Sequence, residues 1–129
     1  MFEGNVSRKV LIVDDSKLAR MAVVKILSGL HPDWPIEEAA NADQALACFK
    51  QNAPDFVLLD FNMPGKDGLA LAAELRTLDP SVRVAVISAN HQVEVVNRAQ
   101  AAGAVFLPKP ITEKSLKEFL LAIRSKANA

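Results

Sequence analysis

Residues 56–68 read Phe-Val-Leu-Leu-Asp-Phe-Asn-Met-Pro-Gly-Lys-Asp-Gly, and the fold of the chain can be worked out from this stretch. Its first four residues are apolar, which is typical of a strand that is buried on both faces of a parallel sheet. The run ends in the carboxylate of Asp60, and Asn62, Pro64 and Gly65 then supply turn residues. In an open parallel sheet, ligands bind outside the carboxyl ends of the strands. The stretch therefore predicts a carboxylate placed for chemistry at the end of a central strand.

Three other apolar runs also end in polar side chains. They are Val10–Val13 before Asp14 and Asp15, 82–87 before Ser88, and 105–107 shortly before Lys109. Because the carboxyl ends of parallel strands meet at one edge of a sheet, we expect these side chains to lie close to Asp60. Each has an ordinary explanation when taken alone: Asp15 as a helix cap, Ser88 as a turn residue, Lys109 as a solvated cation. Their occurrence on successive strand ends favours a shared site.

Composition and charge restrict the class of protein. The chain has 129 residues, of which 50% are hydrophobic and 23% charged, as expected for one globular domain. We predict that this domain covers 9–126, between a flexible lead-in at 1–8 and a tail at 127–129. The net charge is zero and the pI is near 6.7, which argues against a nucleic-acid or anionic membrane surface.

No apolar run approaches ~20 residues, and the N-terminus has no signal-peptide core, so a cytoplasmic location is expected. The single cysteine, Cys48, excludes an internal disulfide framework and fits a reducing compartment. A small semi-buried side chain is the favoured interpretation of Cys48, over a reactive thiol.

Helical spacing of apolar residues alternates with the strands. The predicted helices are 16–29 capped by Ser16, 41–52 capped by Asn41, 69–78, 92–102, and a fifth beginning after Thr112. A weak strand at 36–40 is interrupted by Glu37 and Glu38, which a sheet edge would tolerate. This alternation predicts a flavodoxin-like, doubly wound α/β fold with five parallel strands in the order 2-1-3-4-5 and helices on both faces. No Gly-rich fingerprint follows the first strand, so dinucleotide binding is disfavoured.

Three clustered carboxylates would repel one another unless they held a cation. An all-oxygen site suits Mg²⁺, with Mn²⁺ as an alternative, and suits zinc poorly. A bound divalent ion attracts phosphoryl groups, and Ser88 and Lys109 are the donors that such a group requires. An aspartate can also be the covalent acceptor. The site therefore predicts phosphoryl transfer.

At this point the sequence resembles a known family, the receiver domains of two-component response regulators, from about Lys9 to Lys126. The resemblance rests on four short motifs: Asp14-Asp15, residues 60–68, Ser88-Ala89 and Lys109-Pro110. It implies that Asp60 is the phosphoacceptor, that Ser88 and Lys109 bind the phosphoryl oxygens, and that Mg²⁺ is held by acidic residues and one backbone carbonyl. The implied metal ligands are Asp14 or Asp15, Asp60, and the carbonyl of Asn62.

Such domains often carry a switching tyrosine shortly before the lysine, and here that position is Phe106 or its neighbour. The chain has no tyrosine. A phenylalanine can move between exposed and buried rotamers, but it cannot add a hydroxyl hydrogen bond. Ser88 and Phe106 are thus the predicted switch residues.

The resulting hypothesis is a single-domain receiver that signals as a phosphoacceptor and is not otherwise an enzyme. Its expected donor is a sensor histidine kinase or phosphotransfer protein, its effector a separate output protein, and its state a monomer or weak dimer. One alternative is a pseudo-receiver used only for docking. Another is a Mg²⁺-dependent aspartyl phosphatase, which would usually carry a second acid where this chain has Asn62, and would need a cap domain.

Overall fold

The computed structural model describes residues 8–63, 68–89 and 92–127, with side chains described as far as residue 121. The predicted lead-in before Arg8 and the turn residues 64–67 lie outside the described residues. Within the described part of the chain, no helix is long and apolar enough to cross a membrane.

Five parallel strands form one sheet in the order β2-β1-β3-β4-β5, which confirms the predicted order. The strands are β1 (Val10–Val13), β2 (Ile36–Ala39), β3 (Phe56–Asp60), β4 (Arg83–Ser88) and β5 (Val105–Pro108). Every residue of β1 and β3 is buried, as expected for central strands. The strand with two glutamates, β2, lies at the edge of the sheet.

Five helices alternate with the strands. They are α1 (Lys17–Leu30), α2 (Ala42–Asn52), α3 (Gly68–Leu78), α4 (Val93–Ala101) and α5 (Glu113–Ala127). The caps follow the sequence: Ser16 accepts a hydrogen bond from the backbone of Ala19, and Asn41 accepts one from Gln44. The predicted end of the first helix at Gly29 was one residue short, because the N–H of His31 donates to Leu27 and extends the last turn.

Strand side chains alternate between two helical layers. One face of the sheet packs against α2, α3 and α4, and the opposite face packs against α1 and α5. In β3, Val57 and Leu59 belong to the first layer, whereas Phe56 and Leu58 belong to the second. Burial of one such side chain stabilises the fold by about 1.5–3 kcal/mol. The alternation also sets which layer a side chain at the end of a strand will face.

A stack of aromatic rings packs at the amino ends of the strands. His31 and Trp34 are stacked with their ring centroids 3.6 Å apart, and Trp34 lies 5.7 Å from Phe56. The ring of Phe119 meets Phe56 edge-on at 5.9 Å. The stack joins the end of α1, the start of β3 and α5 at the edge of the sheet opposite to Asp60.

Candidate functional site

Strand register brings Asp14 beside Asp60. Val13 of β1 pairs with Leu59 of β3. Asp14, just after β1, and Asp60, the last residue of β3, therefore lie side by side. Asp14 and Asp60 also continue the alternation of Ile12 and Leu58, so both face the layer of α1 and α5. Together with Asp15, they offer one carboxylate oxygen each, all within 4.8 Å of one another. The three predicted acids therefore do lie together.

The three acids differ in their exposure to solvent. Asp60 is 4% exposed and Asp14 is 9% exposed, whereas Asp15 is open to solvent. Burial raises the pKa of Asp14 above its usual value and the charges of Asp60 and Asp15 raise it further, whereas a hydrogen bond from the Ser16 N–H and the charge of Lys109 partly oppose this. The ionised form of Asp14 is therefore disfavoured, chiefly by burial, and a bound cation would favour it.

The side chain of Lys109, the cation that the sequence predicts for this site, also lies there. The Nζ of Lys109 lies 2.9 Å from Oδ1 of Asp60, and its backbone N–H donates to the carbonyl of Ser88. Burial by itself lowers the pKa of Lys109, but its contact with Asp60 and the charges of Asp14 and Asp15 outweigh this and raise it. The ammonium is therefore charged at neutral pH.

The contact between Nζ of Lys109 and Oδ1 of Asp60 is an ion pair. Oδ1 of Asp60 is fully buried and accepts no hydrogen bond from the residues that the structure describes. A buried carboxylate oxygen usually has such a partner. One oxygen of Asp60 is thus available for another ligand, and the all-oxygen donor set around it suits a hard divalent ion.

The remaining predicted residues are more dispersed. Ser88 is 1% exposed at the end of β4, next to Pro108 in the register, and continues the alternation of Val86. Asn62 is exposed in the loop that follows β3. Phe106 is half-buried against the layer of α2, α3 and α4, so it flanks the site from the other face of the sheet.

Gly68 is a position to which the sequence analysis assigned no role. Its N–H donates to the carbonyl of Phe61, which closes the loop after β3. A Cβ at residue 68 would lie 2.5 Å from the carbonyl oxygen of Asp60 and 3.0 Å from the Cα of Phe61. Only glycine therefore allows α3 to begin this close to the predicted phosphoacceptor.

Arg20 and Glu38 were also missed as site residues. Arg20 donates through Nη1 to the carbonyl of Asp14 and through Nε to Glu38 Oε1, at 2.9 Å for the latter. In the sequence, Glu38 indicated only a weak strand. The sequence did offer one signal for this contact: an arginine lies one turn after the Ser16 cap, and the strand β2 that pairs with β1 carries an acid.

Comparison with known proteins identifies the family. The sequence matches the response regulator receiver domain over residues 10–121. The chain belongs to this family. The resemblance seen in the sequence is thereby confirmed, and the protein is a receiver domain of the kind found in two-component systems.

Two relatives of this receiver domain are similar along most of their length, and a third is similar over less than half of its length. Protein CcdB of Bacillus subtilis (strain 168) is 35% identical over 112 residues, which cover 85% of this chain and 92% of the relative. Chemotaxis protein CheY of the same strain is 34% identical over 107 residues, covering 81% and 87%. The glycerol metabolism activator of Pseudomonas putida is 38% identical over 98 residues, covering 75% of this chain but 44% of the relative.

Solved structures share the fold. The chemotaxis protein CheY4 of Vibrio cholerae superimposes on this receiver domain with a TM-score of 0.82 and 26% sequence identity, covering 92% of this chain and 99% of that one. A putative response regulator from Chloroflexus aurantiacus gives a TM-score of 0.84 at 25% identity, covering 93% and 99%. These similarities agree with the strand order described above.

Proposed function

We propose that this receiver domain accepts a phosphoryl group on Asp60 in a reaction that depends on a divalent ion, and that phosphorylation changes its affinity for a separate partner protein. The observation that carries the proposal is the state of Asp60. Its buried Oδ1 lies 2.9 Å from the Lys109 ammonium and accepts no hydrogen bond within the described part of the chain. Such an oxygen keeps its capacity to accept a new bond and lies against a cation that would attract a phosphoryl group.

The covalent step is a displacement at phosphorus. A carboxylate oxygen of Asp60 forms a bond to the phosphorus atom while the bond from phosphorus to the donor's imidazole nitrogen breaks. The electron pair of that bond returns to the imidazole. Lys109 then lies against the new phosphoryl oxygens, and the Ser88 hydroxyl at the end of the neighbouring strand is the second protein donor.

Asp14, Asp15 and Asp60 would hold Mg²⁺, or Mn²⁺ in its place, with the carbonyl of Asn62 as a further ligand. The three carboxylate oxygens within 4.8 Å of one another fit this role. Once bound, the ion would neutralise charge on the phosphoryl oxygens during transfer. Without the ion, burial raises the pKa of Asp14 and so disfavours its ionised form.

The donor and the output protein follow from the chemistry and the family. A sensor histidine kinase or phosphotransfer protein in the cytoplasm would supply a phosphohistidine, whose labile P–N bond suits transfer to a carboxylate. A separate output protein is the partner that we propose for the phosphorylated form. We propose that the receiver acts as a monomer or weak dimer.

The output surface we propose is the face of α4, β5 and α5. A groove of about 1210 Å³ follows this face, and its lining includes Val96 and Gln100 of α4, Phe106 of β5 and Ser115 of α5. Phe106 pairs in register with Val86, two residues before Ser88. Movement of Ser88 toward a phosphoryl group would therefore change the packing around Phe106. A change in the position of Phe106 would alter the shape of the groove.

The direct test is labelling with acetyl phosphate and Mg²⁺. The wild-type protein should gain one acid-stable, base-labile phosphoryl group, measured by mass spectrometry and located at Asp60 by peptide mapping. Asp60→Asn should gain none, whereas Asp55→Asn, at a half-buried carboxylate next to the start of β3, should label like the wild type. Equal labelling of Asp60→Asn would show that the phosphoacceptor is another residue.

A further inference from the structure

Arg20 connects the acidic cluster to the edge of the sheet. It lies in the first turns of α1, where its N–H donates to the carbonyl of Ser16, and its side chain is 14% exposed. The guanidinium makes two contacts, one with the carbonyl of Asp14 and one with the carboxylate of Glu38. A planar guanidinium has the fixed fork of donors that can make both contacts at once.

These contacts complete the restraint of Asp14. Its N–H donates to the carbonyl of Ala39 at 3.1 Å, and its Oδ1 accepts from the Ser16 N–H at 2.9 Å. Arg20 holds the carbonyl oxygen, which is the third polar atom of the residue. Asp14 is therefore fixed from β2, from the cap of α1, and from the interior of α1.

The restraint extends to Asp15. The carbonyl that Arg20 holds belongs to the peptide joining Asp14 to Asp15, so its orientation fixes the plane of that peptide. Among the residues that the structure describes, none forms a hydrogen bond or ion pair with the side chain of Asp15. Arg20 therefore acts on Asp15 through the backbone, by holding the peptide to which its Cα is attached.

Glu38 gives Arg20 its orientation and offsets its charge. A guanidinium next to a divalent-ion site would repel the ion unless a carboxylate balanced it. Glu38 pairs in register with Ile12, two residues before Asp14, which places its carboxylate within reach of α1. The adjacent Glu37 has a different partner, since it accepts both hydrogen bonds from Asn52.

We propose that Arg20 and Glu38 are a positioning pair, which presets the peptide between Asp14 and Asp15 so that both carboxylates converge on a divalent ion. This inference rests on the proposed function, because it assigns a role in organising the same site. Neither residue contacts the reacting atoms. Side chains that orient metal ligands in this way typically change metal affinity by 10–100-fold when they are replaced.

The first test is Mg²⁺ affinity measured by isothermal titration calorimetry. Arg20→Lys keeps the charge but lacks the fork, and we expect it to bind Mg²⁺ about tenfold more weakly than the wild type. The matched control is Arg76→Lys. Like Arg20, Arg76 makes two contacts, in this case with the backbone carbonyls of Pro80 and Val82 just before β4, so its replacement also removes guanidinium contacts, but away from the site. Arg76→Lys should leave Mg²⁺ affinity unchanged.

A second variant separates position from charge. If Arg20 acted only as a cation, Arg20→Gln would remove a repulsion and bind Mg²⁺ more tightly than the wild type. Positioning predicts weaker binding by Arg20→Gln as well. Tighter binding by Arg20→Gln together with unchanged binding by Arg20→Lys would overturn the proposal.

The Mg²⁺ affinities of variants at Glu37 and Glu38 provide an independent comparison. It can be made even if a variant of Arg20 does not fold. Glu38→Ala should weaken Mg²⁺ binding several-fold, and Glu37→Ala, which removes the same charge from the adjacent residue, should not. If the two act as a pair, Arg20→Lys combined with Glu38→Ala should bind no more weakly than the worse single variant. Equal effects of Glu37→Ala and Glu38→Ala would contradict the assignment.

A measurement without metal completes the design. Amide hydrogen exchange at Asp14 and Ser16, whose N–H groups donate to Ala39 and to Asp14 Oδ1, should accelerate in metal-free Arg20→Lys and Glu38→Ala, and stay at the wild-type rate in Arg76→Lys. If the wild type labels at Asp60 and binds Mg²⁺, while Arg20→Lys matches it in affinity and exchange, the positioning role alone fails. A wild type that binds no Mg²⁺ would overturn both this inference and the proposed metal dependence.

Discussion

Gly68 approaches Asp60 so closely that a Cβ at residue 68 would lie 2.5 Å from the Asp60 carbonyl oxygen. Because the obstructing atom is backbone, it cannot move aside by a rotamer change. Gly68→Ala must therefore shift the junction of β3 and α3. We expect the free energy of unfolding to fall by about 1–3 kcal/mol, as in other overpacked sites, and labelling of Asp60 to slow.

Gly29→Ala is the matched control for this prediction. No atom lies within 4 Å of a Cβ built at Gly29, which is inside α1. Alanine there should raise the free energy of unfolding by up to about 1 kcal/mol, through its better helix propensity. Urea unfolding curves of the two variants should thus move in opposite directions, and a neutral Gly68→Ala would show that the loop adapts.

Asp14 should make the metal-free protein less stable as the pH rises. Its folded-state pKa lies above the ordinary value of 3.8, chiefly because of burial, so folding favours the protonated form. The stability from this group is full below 3.8 and is lost as the pH rises through the raised folded-state pKa. Asp14→Asn removes that loss. The free energy of unfolding of the variant, relative to that of the wild type, should therefore increase with pH across this window and then stay constant.

Asp79→Asn is a control of opposite sign. Hydrogen bonds from Ser81 hold the pKa of Asp79 below 3.8, so this carboxylate stabilises the fold above 3.8, and the contribution is lost as the pH falls through the lower folded-state pKa. The free energy of unfolding of Asp79→Asn, relative to that of the wild type, should therefore decrease as the pH rises. Urea unfolding at several pH values, without divalent ions, measures both. Parallel pH profiles for the two variants would contradict the prediction for Asp14.

Mg²⁺ should stabilise the folded protein by mass action. At an ion concentration 100 times the dissociation constant, the free energy of unfolding should rise by about 2.7 kcal/mol. The double variant Asp14→Asn with Asp15→Asn loses two of three carboxylates and should show almost none of this effect. Circular dichroism during urea unfolding, with NaCl at equal ionic strength as the reference, measures the difference. A full Mg²⁺ effect in the double variant would place the ion elsewhere.

Ser88→Ala should separate phosphorylation from its output. The variant keeps Asp60 and Lys109, so it should still be labelled, but it loses the hydroxyl expected to move toward the phosphoryl group. Completing the burial of the half-exposed Phe106 is favourable by about 1 kcal/mol, which corresponds to roughly a fivefold change in partner affinity. We expect that change, and the NMR shift changes around Phe106, to disappear in Ser88→Ala.

Ser81→Ala removes a hydroxyl at the other end of the β4 region, where it bonds to Asp79, and serves as the control. It should label at Asp60 and show the wild-type changes around Phe106. If Ser88→Ala behaves in the same way, the signal leaves the site through Lys109 or the loop after β3.

The strand ends could be predicted because each depends on a local pattern. The apolar run before Asp60 indicates a buried strand, and the carboxyl ends of parallel strands meet at one edge, so the meeting of Asp14, Asp15, Asp60 and Lys109 followed without any knowledge of side-chain packing. The family match supports the same fold. The roles of these residues in phosphoryl transfer stay predictions.

The roles of Arg20, Glu38 and Gly68 could not be predicted, because each depends on distances between elements. The contact of Arg20 with Asp14 and Glu38 requires the rotation of α1 relative to two strands. The need for glycine at residue 68 depends on how closely α3 begins beneath the end of β3. Sequence periodicity fixes which face a residue occupies, but it does not fix separations of a few tenths of an ångström.

The aromatic stack at the amino ends of the strands gives this protein a built-in optical reporter. Trp34 is the only tryptophan in the chain, and it stacks between His31 and Phe56. Phe56 and Asp60 are four residues apart along β3, or about 13 Å. The fluorescence of Trp34 should therefore report the global unfolding of the domain and change little when an ion or a phosphoryl group binds at the carboxylates. Loss of structure and occupancy of the site could then be followed separately in a single cuvette.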